Sequence, residues 1–307
     1  MALKDRVAES LGRDLPGEVR VMARLLADHA DAAAVLFYGS VLRTGRLDDL
    51  LDFYVLTDEP TQEPLVWPQI SIHAISVGSR VVRAKVATMP LVLFADAAGG
   101  GRLDTTIWTR FCQPCALAWS RDAEAAGEVA EAVAAAVVTA ASHAAVLGPA
   151  EASPEAFWEA LFERTYNAEL RVEAPGRSAA IVGHDPRHYR SLLPLAWATV
   201  GIGFSSEAEA LRPVVPADLR ESLGGTWRRR AALGKVLNIV RLVKAAFTLR
   251  DAGSYALWKI ERHTGGRIRA TNWRRAHPFL AAPGVLWKLW RLRERQPQPG
   301  ADQQTIS

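Results

Sequence analysis

Apolar and polar positions along the 307-residue chain follow two different periods. Val7, Leu11, Val21 and Leu25 recur at helical spacing over 5–29, with Pro16 interrupting. Residues 33–38 form an unbroken apolar run of strand length, the pattern of a strand buried on both faces. Residues 50–56 form a second such run, and 69–77 (QISIHAISV) a third with period-two character. The stretch 83–94 is mixed, and 116–119 reads as a short strand before an alanine-rich helix from about 122 to 147. Residues 148–156 (GPAEASPEA) are the clearest linker, and Ser153-Pro154-Glu155 is a good helix start. Beyond it the period is helical over 154–172, 186–202, 228–250, 254–263 and 284–295. These patterns predict a mixed α/β (α+β) domain over 1–150 and a helical, basic domain over 151–295. The tail 296–307 (QPQPGADQQTIS, from Gln296) is expected to be disordered.

Apolar residues make up 49% of the chain, a globular composition. Charge is unevenly spread. Residues 1–211 hold 18 Lys+Arg against 27 Asp+Glu, whereas 212–307 hold 19 against 6. A net −9 followed by a net +13 points the C-terminal third at an anionic partner: nucleic acid, anionic lipid or a polyphosphate. The N-terminus is charged from residue 4 and carries no apolar signal core. The most apolar long window, 133–147, is too short to span a bilayer. The expectation is a cytoplasmic protein, peripheral on the inner membrane face. Cys112 and Cys115 read C-Q-P-C; a single such pair lacks the second pair of a zinc site, so both are read as inert buried thiols.

The stretch FYGSVLRTGRLDDLLDFYVL, residues 37–56, carries the chemistry. A strand ending in Gly39-Ser40 and running into a turn or helix can cradle phosphate: glycine lets backbone approach, and serine adds a hydroxyl. Asp52 sits inside the next apolar run, where an unpaired carboxylate would be costly to bury. A metal or another cation offsets that cost, and Mg²⁺ held against a phosphate is one such arrangement. Gly-Ser followed about ten residues later by a strand acid resembles the polymerase-β-like nucleotidyltransferases, which bind two metal ions through a carboxylate cluster. Those enzymes usually carry acid-x-acid, yet position 50 is Leu50; Asp48 and Asp49 lie nearby in another register.

The departure itself resembles the mitochondrial phosphatidate cytidylyltransferase family, the translocator assembly and maintenance proteins. Those have Tyr-Gly-Ser, an apolar pair and Asp-Phe; here Tyr38-Gly39-Ser40 and Leu50-Leu51-Asp52-Phe53. Their Ser-Tyr-x-Gly-Asp-x-Arg helix and following segments are matched by Thr165-Tyr166, Glu169 in place of Asp, Arg171, Ile181-Val182 and His188-Tyr189. Lys85 in RAKVA is similar to their Lys-Tyr-Gly-Val. Their histidine-rich segment after the Asp strand has no counterpart. The resemblance covers roughly 33–200. It implies a nucleotidyltransferase fold with a mixed sheet and a helical C-terminal domain. It implies Mg²⁺-dependent conversion of CTP and phosphatidate, or a similar lipid phosphate, to CDP-diacylglycerol and pyrophosphate in phospholipid biosynthesis.

On that reading Gly39, Ser40 and Lys85 hold the nucleotide, and Asp52 with Asp49 the Mg²⁺. Glu169 is a further catalytic acid, and Tyr166, Arg171 and His188 bind the substrate phosphate. Alternatively, residues 183–190 (GHDPRHYR) form a plain helix start capped by Asp185. The basic, Trp-bearing segments 226–250 and 284–293 fit a core helix and a membrane-interface helix respectively. Nucleic acid is not expected as a partner, because no RNA-binding motif accompanies the Arg- and Trp-rich segment 258–278. Two other functions fit the same residues: a nucleotidyltransferase acting on a small metabolite or RNA, and a catalytically inactive membrane-surface scaffold.

Overall fold

The computed structural model describes residues 2–47, 50–58, 68–77, 80–169, 176–207 and 209–248, with backbone only for 235–248. The helices expected at 254–263 and 284–295 and the tail lie outside the described residues. The chain divides into two compact units, Met1–Leu242 and Val243–Ser307.

At the centre of the first unit is a five-stranded mixed sheet of order β3-β4-β2-β1-β5. The strands are β1 (Ala32–Tyr38), β2 (Leu51–Thr57), β3 (Gln69–Val77), β4 (Arg80–Pro90) and β5 (Cys115–Ser120). β1 runs antiparallel to both β2 and β5, β2 parallel to β4, and β4 antiparallel to β3. The central strands are covered on both faces. Val35 and Phe37 of β1 and Leu51, Phe53 and Val55 of β2 pack with α2 (Gly17–Ala30), through Val19, Met22, Ala23 and Leu26. Ala34, Leu36, Tyr38, Tyr54 and Leu56 face the other way. This is why β1 is apolar at every position: alternate residues enter two cores.

The second core holds most of the helices. α6 (Ala123–Leu147) is capped by Asp122, which accepts from the Ala125 amide. Around it lie α1 (Leu3–Leu11), α4 (Leu91–Ala98), α5 (Thr106–Phe111), α7 (Pro154–Ala168) and α9 (Pro186–Thr199). Its alanines let the neighbouring backbones come close, and Trp197 Nε1 donates to the Ala141 carbonyl at 2.8 Å. α6 is longer than the 133–147 window and by length and composition could cross a membrane; 67% of its most apolar window is buried within the protein, as in a core helix. Ser153 caps α7 and Asp185 caps α9, each ahead of a proline at the first helical position.

Five elements depart from the sequence pattern. α3 (Ser40–Thr44) and α8 (Arg177–His184) are too short to show a period. A hairpin of β6 (Gly203–Glu207) and β7 (Ala210–Val214) is largely exposed, so no apolar alternation marks it. α10 (Ala217–Thr248) begins eleven residues before the pattern at 228, running straight through Gly224-Gly225, which reads as a break. Cys112 and Cys115 are buried and free of disulfide. Burial pushes the Cys115 thiol up to about 12 and Cys112 well above its ordinary value, so neither is nucleophilic at neutral pH.

Two buried imidazoles make the fold acid-sensitive. His143 of α6 is 1% exposed, and its Nε2 accepts a short hydrogen bond from Arg230 of α10. Burial, then the Arg230 charge, lowers its pKa to about 3. His188 of α9 is 4% exposed, and burial above all lowers its pKa to about 4. Both stay neutral in the fold and take up protons on unfolding below their ordinary 6.5. Their stability is therefore complete above pH 6.5 and lost as pH falls toward the folded values. Each lost pH unit removes up to about 1.4 kcal/mol per imidazole. Urea unfolding at about pH 5 is expected to give a free energy roughly 3 kcal/mol below that at about pH 7. Equal values at the two pH settings would refute the neutral burial of both rings.

Candidate functional site

The β1–α3 turn and the start of β2 build one wall of a pocket. β1 ends at Tyr38, and Gly39 takes φ 95° and ψ −160°, a conformation essentially reserved for glycine. Ser40 then opens α3. Tyr38 pairs across the ladder with Asp52, so Gly39 arrives directly against the Asp52 side chain. A Cβ on Gly39 would stand 2.6 Å from Asp52 Oδ2. Turn and acid are thus one packed unit.

The pocket of about 170 Å³ is lined by Tyr38, Gly39, Ser40, Arg43, Asp52 and Arg110, with Gln113, Pro114, Tyr166, Arg177 and Ile181 closing it. Three guanidinium groups from three elements, α3, α5 and α8, therefore line one pocket with the Asp52 carboxylate. Arg110 passes over the Tyr38 ring, 5.0 Å from its centroid, and Nη1 donates to Tyr54 Oη at 3.0 Å. Those two contacts aim it along the face of β1 and β2 that also carries Asp52.

Burial pushes the Asp52 carboxyl above its ordinary range, and Lys85, Arg110 and Arg43 pull the other way without cancelling it. Burial also works to lower Arg110, but Tyr38, Tyr54, Asp52 and Glu169 outweigh it and hold the guanidinium above its ordinary value. Arg43 is lowered, first by burial and then by the positive charge of Arg177. Two like charges held near each other in a partly desolvated pocket create a site for an anion.

Gly39, Ser40, Asp52 and Tyr166 come together here. Lys85 is the register partner of Asp52 on β4 and acts on its charge from beside the pocket wall. Glu169 is 6% exposed at the end of α7, where its Oε1 accepts from the hydroxyls of Thr105 and, at 3.1 Å, Thr106. It ties α7 to the start of the helix that carries Arg110. His188 is brought elsewhere: its Nε2 donates to the Cys112 carbonyl at 3.0 Å and its ring packs edge-on to Tyr189. A neutral, buried imidazole on a carbonyl is not placed as a phosphate ligand, and Asp185 caps the helix as the plainer reading of 183–190 has it. Asp49 and Arg171 lie outside the described residues.

Sequence reasoning missed Arg43, Arg110 and Arg177. Arg43 follows Ser40 by three, which places both on one face of α3. Arg110 stands between Trp108 and Phe111, a charge in an apolar run, the same signal that singled out Asp52. Nothing local marks Arg177. Among the described residues, no group of three or more His, Cys, Asp or Glu could hold a metal. No protein-family model matches the chain, and no curated protein matches it significantly.

Proposed function

We propose that the protein is a nucleotidyltransferase that moves a cytidylyl group from CTP to a lipid phosphate such as phosphatidate, at the surface of an anionic membrane. The carrying observation is the packed unit of Gly39, Ser40 and Asp52, faced by three arginines in one pocket. This is the arrangement expected of a polymerase-β-like nucleotidyltransferase domain. A triphosphate and a phosphomonoester are both strongly anionic, and guanidinium groups suit both.

In this reading the Ser40 hydroxyl, with Arg43 on the same helix face, holds the phosphates of CTP. Tyr166, which lines the same pocket, receives the lipid phosphate. A non-bridging oxygen of that phosphate attacks the α-phosphorus; the bond to the bridging oxygen breaks and pyrophosphate leaves with its electron pair. The protein supplies position and charge neutralisation, which dominate such transfers. Asp52 would hold Mg²⁺ as a single carboxylate ligand, a mode in which phosphate oxygens and water would supply the rest. When bound it neutralises developing charge on the phosphates.

The test is incubation of purified protein with CTP, Mg²⁺ and phosphatidate in detergent, followed by lipid extraction. CDP-diacylglycerol and an equal amount of pyrophosphate are the expected products. Pyrophosphate release only with a sugar phosphate or an RNA end would transfer the reading to another acceptor. No turnover with any acceptor, where a known cytidylyltransferase works, would overturn it.

A further inference from the structure

We propose that Arg43, Arg110 and Arg177 form a seat that binds a pyrophosphoryl group without a divalent cation. Three observations lead to it. First, the cations line one cavity from separate elements, three guanidinium groups to one carboxylate among the described lining residues. Second, the seat is built: Arg110 is fixed by the Tyr54 hydroxyl and stacked on the Tyr38 ring, and the Gly39 turn packs directly on Asp52. Third, the space matches. Pockets for whole small ligands run from roughly 300 Å³ upward. The 170 Å³ here suits adjacent phosphoryl groups and leaves a nucleoside or lipid body outside.

Guanidinium forks bind phosphate oxygens in pairs, and their positive charge is independent of pH in the working range. Burial first, and then the positive charge of Arg177, lowers the Arg43 pKa, so the two guanidinium groups repel each other. An anion between them removes that repulsion and replaces lost hydration. Two linked phosphoryl groups can engage all three forks at once, which one orthophosphate cannot do as well. The proposal rests on the transferase reading for the origin of this anion, as the leaving group or the matching end of a nucleoside triphosphate. The binding itself needs neither CTP nor lipid.

The experiment is titration calorimetry of the full chain with sodium pyrophosphate, and separately with orthophosphate, in EDTA at physiological salt. One pyrophosphate per chain is expected, bound at least about tenfold more tightly than orthophosphate. Arg177→Gln, at an exposed position, is expected to weaken pyrophosphate about tenfold or more, as is Arg43→Gln, each with a melting temperature measured alongside. Arg24→Gln, on α2 and outside the pocket, is expected to bind as the wild type does. Binding that arises only when Mg²⁺ is added would overturn the seat, as would binding unchanged in both pocket variants or equal for the two anions. Failure of the transferase assay with this binding intact would sink the transferase reading alone. Turnover without metal-free pyrophosphate binding would sink the seat alone.

Discussion

Replacing Asp52 by Asn is expected to lower cytidylyl transfer by about two to three orders of magnitude while leaving the melting temperature unchanged or higher. Both halves have one cause. Burial disfavours the charged carboxylate more than Lys85, Arg110 and Arg43 favour it, which is why its pKa is raised. The neutral amide keeps the shape and removes that penalty. Each kcal/mol recovered raises the melting temperature by roughly 2–4 °C in a domain of this size. The pH dependence carries the same sign. The folded carboxyl holds its proton to a higher pH than the unfolded one, so the contribution of Asp52 falls as pH rises from 3.8 through the folded value, against the gain from His143 and His188, and the Asn variant lacks that fall. Calorimetric melting beside the CTP assay checks the pair. An Asn variant that melts well below the wild type would make Asp52 a structural anchor, and one that keeps full turnover would remove it from the chemistry.

Gly39→Ala is expected to damage both fold and activity. The backbone at φ 95° and ψ −160° costs a residue with a Cβ about 1–3 kcal/mol. The new methyl would also stand 2.6 Å from Asp52 Oδ2 and 3.2 Å from Asp52 Cβ. Asp52 is a short side chain rooted in β2, so its Cβ cannot swing away, and overpacking of this kind adds about 1–3 kcal/mol. The melting temperature should fall by roughly 5–20 °C, with turnover near background. The double variant Gly39→Ala with Asp52→Ala should recover part of the stability, since the nearest clashing atom is gone; the non-additivity measures the packing between turn and acid. A Gly39→Ala protein that melts with the wild type would show that the turn can relax and that glycine is not required there.

The residues that proved easiest to place are those whose neighbours in sequence are also their neighbours in space. Ala33–Tyr38 reads as a doubly buried strand because all its side chains enter one core or the other. Asp52 reads as a site because its flanks, Leu51 and Phe53, are apolar. Arg110 offers the same contrast beside Phe111 and Trp108, but α5 is only six residues long and shows no period to frame it. Glu169 and His188 stand near the correct segments, yet their side chains turn to Thr105, Thr106 and the Cys112 carbonyl, partners more than sixty residues away. Gly224-Gly225 reads as a break, but α10 continues because neither position demands a left-handed backbone.

Local pattern alone specifies the mixed α/β character, the strands 33–38, 50–56 and 69–77, the helix starts near Asp122, Ser153 and Asp185, and the pairing of a Gly-Ser turn with a strand acid. Those are local matters: period, caps and the cost of a lone charge among apolar neighbours act within about one turn or one strand. Which charges surround Asp52 is set by long-range packing. Arg43, Arg110 and Arg177 lie up to 134 positions apart, and the antiparallel pairing of β1 with β2 and the packing of α5 and α8 bring them into one pocket. A pocket's charge is a sum over elements that meet only after the chain has folded, so no single window of sequence contains it.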